Sequence, residues 1–109
     1  MGMIKQKGKT QKIRLDWENM GTEEIFPGTP MGDDGQIHND EKAKGITMDT
    51  LTTPWHGVAD ILIVGEVDEK EAERSSGIKL SAKAKKALSD ITFTGVNRGA
   101  AKKTDKGSK

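Results

Sequence analysis

Only one stretch of this sequence is apolar at four successive positions, Ile61-Leu62-Ile63-Val64. A strand points alternate side chains to opposite faces, so such a run needs cover on both of them. Three of its four residues are β-branched, which suits a pleated surface. Val58 to Val67 is therefore expected as the central strand of a sheet packed on two sides. The run is far too short to cross a membrane, which needs about 20 apolar residues.

The other elements must be built around that strand from little material. Large aliphatics and phenylalanine supply 20 of the 109 residues, slightly under the roughly 20 percent that ordinary domains exceed. The core is thin. No cysteine is present to reinforce it, which removes disulfides, thiolate metal sites and thiol catalysis together. Ile13, Leu15 and Trp17 alternate with Arg14, Asp16 and Glu18, predicting a first strand over about residues 12 to 18. Ile46 and Met48 alternate before Pro54 ends the run, and Ile91 to Val96 alternate again. Gly77 to Leu80 suits a brief strand. Ser81 is a good N-cap for a helix over Ala82 to Ser89, with Leu80, Ala84, Ala87, Leu88 and Ile91 on one stripe. Asp68 to Ser76 is dense in charge and reads as a solvated turn or a short exposed helix with no face to bury.

The expected fold class is α+β and β-rich: a small, mostly antiparallel sheet of four or five strands with one short amphipathic helix, a long irregular acidic loop and extended basic termini. A single domain is expected over residues 12–97, flanked by flexible basic arms at 1–11 and 98–109. The net charge is only +1, from 18 basic and 17 acidic residues, but the charges are segregated. Residues 1–14 carry Lys5, Lys7, Lys9, Lys12 and Arg14 with no acid. Residues 15–41 carry Asp16, Glu18, Glu23, Glu24, Asp33, Asp34, Asp40 and Glu41 with no lysine or arginine. Pro27, Pro30 and several glycines keep residues 21–45 from forming a long regular element, and a loop of that length usually has a function or is disordered.

Chemical motifs are sparse. Gly8-Lys9-Thr10 ends like a phosphate-binding loop, but five residues separate Gly2 from Gly8 where that loop needs four. Asp33, Asp34, His38, Asp40 and Glu41 offer metal-ligand types without the spacing of a calcium loop, so a solvated acidic loop is the expectation. His56 precedes Asp60, yet no serine has the glycine-rich elbow of a nucleophile. Pro54-Trp55-His56-Gly57 is expected as a corner into the central strand, with the Trp55 ring covering one end of the core. No catalytic residue, cofactor, metal or small-molecule substrate is expected, and no enzyme activity.

Segregated charge points instead to macromolecular contact. Opposite charge blocks in one short chain complement each other, and equally the surfaces of like or neighbouring subunits. The leading expectation is a structural or interaction protein docking on a larger protein assembly. In organisation only, such a chain is similar to accessory proteins that decorate or cement a viral capsid. Lys5, Lys7, Lys9, Lys12 and Arg14 would anchor it electrostatically. Glu23, Glu24, Ile25, Phe26 and Pro27 would form a loop ordered in the complex, with Ile25 and Phe26 as its apolar plug. A small nucleic-acid-binding or transcription-associated regulator using Lys83, Lys85, Lys86 and the C-terminal tail is the alternative, together with a phage-type inhibitor of a host enzyme. The expected location is intracellular or particle-associated, without a signal peptide and away from membranes, since Met1-Gly2-Met3-Ile4-Lys5 leads into lysines.

Overall fold

The structure is a computed structural model that describes residues 3–95. In chain order its elements are β1 (Ile4–Arg14), α1 (Trp17–Met20), β2 (Glu24–Ile25), β3 (Pro30–Met31), β4 (Gly45–Thr47), β5 (Leu51–Thr52), β6 (Val58–Asp68), α2 (Glu69–Ser76), α3 (Ala82–Ala87) and β7 (Ile91–Thr94). Together they form a small β-rich domain with few helices.

β6 is the organising strand, as its apolar run requires. β1 lies antiparallel along one side of it, while β4, antiparallel, and β7, parallel, share the other. The five-stranded sheet follows the order β1-β6-β4-β3, with β7 beside β6, and β2 and β5 make a separate two-stranded sheet. Ile61 and Leu62 are successive and both fully buried, so they face opposite sides of the sheet. Leu62 joins a cluster with Ile46, Val67, Ala72, Leu80, Ala84, Leu88 and Ile91, which is the helix side. Ile61 joins Ile13, Leu15, Ile25, Met31 and Leu51, which is the side of the small sheet. The thin core is thus divided into two layers.

Capping follows the sequence closely. The Ser81 hydroxyl accepts a hydrogen bond from the Ala84 N–H at 3.0 Å and starts α3. The Asp68 carboxylate accepts from the N–H groups of Lys70 and Glu71 and starts α2.

Several expectations need correction. The first strand begins at Ile4, not near residue 12, and ends at Arg14, with Trp17 in the short helix α1. Residues 5–12 are exposed, so backbone pairing with β6 orders them rather than burial, and no apolar alternation announces it. Among the described residues there are three helices, not one. The charged segment 68–76 does bury a face, because Ala72 and Glu69 are both covered. Gly77 to Leu80 is not a strand; Leu80 serves the helix-side core without pairing. Ala87 is exposed. The loop 21–45 contains β2 and β3, and its residues 28–32 are buried. The C-terminal arm, Val96 and Arg98 lie outside the described residues. Among the described residues no helix is long and apolar enough to cross a membrane.

Candidate functional site

β5 ends at Thr52, and the next four residues form a tightly held turn with a cis Thr53–Pro54 peptide. The His56 N–H donates to the Thr52 carbonyl at 2.9 Å, and the Thr52 N–H lies 2.9 Å from His56 Nδ1. Thr53 N–H donates to the Glu23 carbonyl at 3.2 Å. Trp17 Nε1–H donates to the His56 carbonyl at 2.6 Å, and Trp17 itself packs on the Ile13 and Leu51 core. The position over the core is therefore taken by Trp17. Trp55 points outward, with 80% of its surface in solvent. The expectation that its ring covers one end of the core is wrong. His56 holds the turn and does not meet Asp60, which pairs with Lys12 at 3.3 Å.

Phe26 is the second outward aromatic, 44% exposed. Its carbonyl accepts from the hydroxyls of Thr29 at 2.7 Å and Thr47 at 3.0 Å, so its backbone is tethered while the ring projects. Ile25, paired in the ladder with Leu51, is only 2% exposed and belongs to the core. It cannot be part of an apolar plug, because strand alternation turns it inward where Glu24 and Phe26 turn outward. Glu23 is exposed and Pro27 is half-buried.

The chain matches no family model, curated protein or solved structure. Geometry and chemistry alone carry the functional reading.

The five basic candidates, Lys5, Lys7, Lys9, Lys12 and Arg14, all lie on β1 and are exposed. They lie along β1, a terminal strand of the five-stranded sheet, whereas β2, just before Phe26, belongs to the separate sheet with β5. The lysines of α3 form a weaker patch than their spacing suggests. Lys85 Nζ pairs at 3.0 Å with Glu69 Oε2, leaving Lys83 and Lys86 as the exposed pair.

In the acidic loop, His38 Nε2 lies 2.8 Å from Asp34 Oδ2, and its Nδ1 lies 3.7 Å from Asp40 Oδ1. Asp34 and His38 border an open cleft of about 270 Å³, lined also by Gly32 and Glu41. Among the described residues no group of three or more histidine or carboxylate side chains is arranged to hold a metal ion. The hydrogen bond from His38 holds the Asp34 carboxyl below the ordinary carboxylate range, against a smaller opposing effect of burial. A carboxyl whose native pKa is depressed contributes stability above its unfolded pKa, near pH 4, and loses it as pH falls through the lower native value. Asp34 is half-exposed, so the contribution is modest. Asp34→Asn should therefore be less stable than the native chain at neutral pH, with the gap closing under acid. Urea titrations at neutral pH and well below pH 4 check this; a gap unchanged by pH would mean that the His38–Asp34 contact is not responsible.

Proposed function

We propose that this chain is a non-enzymatic interaction protein that docks on a larger protein assembly, in the manner of an accessory or capsid-decorating protein. The observation that supports it most is the exposure of Trp55 on a turn fixed by hydrogen bonds on both sides. A tryptophan exposes about 200 Å² of surface, and covering it is worth about 4 to 5 kcal/mol at about 25 cal/mol per Å². A chain with so few large apolar residues leaves one of its two tryptophans outside the core. Tryptophan is also enriched among the few residues that dominate binding energy at protein interfaces. Because the turn is already held, little ordering cost opposes its insertion into an apolar socket. The basic row on β1 adds long-range attraction to an acidic partner surface. Such a protein would reside in the cell or on the particle that holds its partner.

The alternative, a nucleic-acid-binding regulator, draws on the same basic row, but the Lys85–Glu69 pair weakens the helical patch that reading relies on. Cosedimentation separates the two. The protein, mixed with the nuclease-treated high-mass protein fraction of its source, should pellet saturably. Trp55→Ala should weaken that association by about 30-fold, corresponding to about 2 kcal/mol, and Phe26→Ala by less. Both variants should melt within a few degrees of the native chain, since both rings are outside the core. Pelleting that disappears on nuclease treatment, or that is indifferent to Trp55, would overturn the docking reading.

A further inference from the structure

We infer that the free edge of β1 between Thr10 and Arg14 receives an extended acidic segment of the partner protein as an added strand. The inference rests on the docking reading and names the partner's chemistry at a second contact.

β1 is a terminal strand of the order β1-β6-β4-β3, so no strand pairs with its outer edge, and only at its last residue does the backbone of Gly35 close on the Arg14 carbonyl. The two halves of that edge differ. Register with β6 shifts between Ile4 and Gln6, between Lys7 and Lys9, and between Lys9 and Thr10. From Thr10 to Arg14 the partners descend without interruption from Leu62 to Val58. An incoming strand needs evenly repeating N–H and C=O groups, and only the second half offers them. Its length matches the commonest strand lengths, about five residues. The bulged half brings charge close without competing for the ladder.

Side-chain alternation then fixes what the incoming strand carries. Ile13 faces the core shared with Ile25 and Leu51. Lys12 and Arg14 face the other way and are exposed, beside Val58 and Asp60, which are exposed too. Acidic side chains at alternate positions would lie next to Lys12 and Arg14, and apolar ones between them would extend the face of Ile13. Among the described residues no carboxylate lies within 4.0 Å of Lys5, Lys7, Lys9 or Arg14.

A second copy of the chain is a poor occupant. Pairing β1 with another β1 would set like charges opposite one another, and edge lysines and bulges are the usual guards against such self-pairing. The strands of its own acidic block, β2 and β3, are already paired with β5 and β4. The same charges that repel a basic strand select an acidic one.

The probe is a blocked peptide of about seven residues alternating glutamate and valine, added to the full chain at about 50 mM salt, where surface charge is weakly screened. It should shift the backbone amide signals of Thr10 to Arg14 and slow exchange of their outward amides by about tenfold or more. Lys12→Glu with Arg14→Glu should weaken binding by about tenfold or more, and the double alanine variant by less. Trp55→Ala should leave peptide binding unchanged. Three further ligands complete the test: a peptide with the same residues in two blocks, an alternating lysine and valine peptide, and a short DNA duplex. Absence of binding, equal binding by the blocked sequence, shifts elsewhere in the chain, or equal amide protection by DNA would each overturn the inference. Peptide failure combined with Trp55-dependent pelleting would leave the docking reading standing; peptide binding without such pelleting would do the reverse.

Discussion

Leu62→Ala should lower the stability of the domain by about 3 to 4 kcal/mol, and Ile61→Ala by a similar amount. Both side chains are fully buried, at the centre of the strand on which every other layer rests. Leu62 meets the helix-side cluster and Ile61 the cluster under the small sheet, so each substitution opens a cavity in a different layer. Neither cavity can collapse easily, because backbone ladders hold β6 on both edges. The two side chains share no cluster but do share the β6 backbone, so the sum of the single effects is a first approximation to the double one, and the deviation from it measures their coupling. A sum of about 6 to 8 kcal/mol falls within the whole stability of a typical domain, about 5 to 15 kcal/mol, so the double variant should be largely unfolded at room temperature. Urea denaturation of the three variants measures this, with half-exposed Val58→Ala as a control expected to change stability by less than about 0.5 kcal/mol. If Leu62→Ala alone cost under about 1 kcal/mol, the helices would not be packed on β6 as the structure has them.

What the sequence shows of this fold follows from where burial leaves a pattern. β6 is legible because four apolar residues in succession have one structural solution. The start of α3 is legible because Ser81 does locally what an N-cap does. β1 is not, because Lys5 to Lys12 contribute backbone and almost no buried side chain, and periodicity records only side chains. The alternation through Trp17 misleads for a related reason. Ile13 and Leu15 are strand-like core residues, but Asp16 already donates its N–H to the Gly35 carbonyl at 3.1 Å, which turns the chain into α1. The outward Trp55 is equally hidden: what gives Trp17 the inner place includes its hydrogen bond to the His56 carbonyl, 39 positions away, and the cluster that holds Leu51. Asn39 is the clearest omission. Its side chain accepts from the Ser81 N–H at 2.8 Å and donates to the Lys79 carbonyl at 2.9 Å, bolting the acidic loop to the start of α3. A lone asparagine in a polar loop carries no signal of such a role.

Gly35→Ala should be nearly as damaging as the core substitutions, at about 3 kcal/mol, although the residue contributes no side chain. Gly35 has φ of +81°, and a Cβ there would collide with the Arg14 carbonyl and sit 2.8 Å from the Asp16 N–H nitrogen. The loop 32–36 presses its backbone against the point where β1 ends. There the Gly35 carbonyl receives the Asp16 N–H, and Gln36 Nε2 donates to Asp16 Oδ2 at 3.0 Å. Hydrogen bonds from Asn19 and then Gln36 hold the Asp16 carboxyl below its ordinary range, so displacing the loop also removes a favourable partner from an ionised group. Gly21→Ala isolates the conformational part of the effect. Gly21 has nearly the same φ, +80°, with nothing within 4 Å of an added Cβ, and its substitution should cost about 1 kcal/mol. The melting temperature should fall by about 12 °C or more for Gly35→Ala and by a third of that or so for Gly21→Ala. Equal losses would mean that the loop does not touch β1. The Thr10 to Arg14 edge lies immediately before this clamp, so Gly35→Ala should also speed amide exchange at Ile13 and Arg14 at temperatures well below the melt. A strand-accepting edge works only while its backbone is held straight. Under the strand-addition proposal, the Gly35→Ala variant should therefore bind the alternating acidic peptide more weakly even where it remains folded.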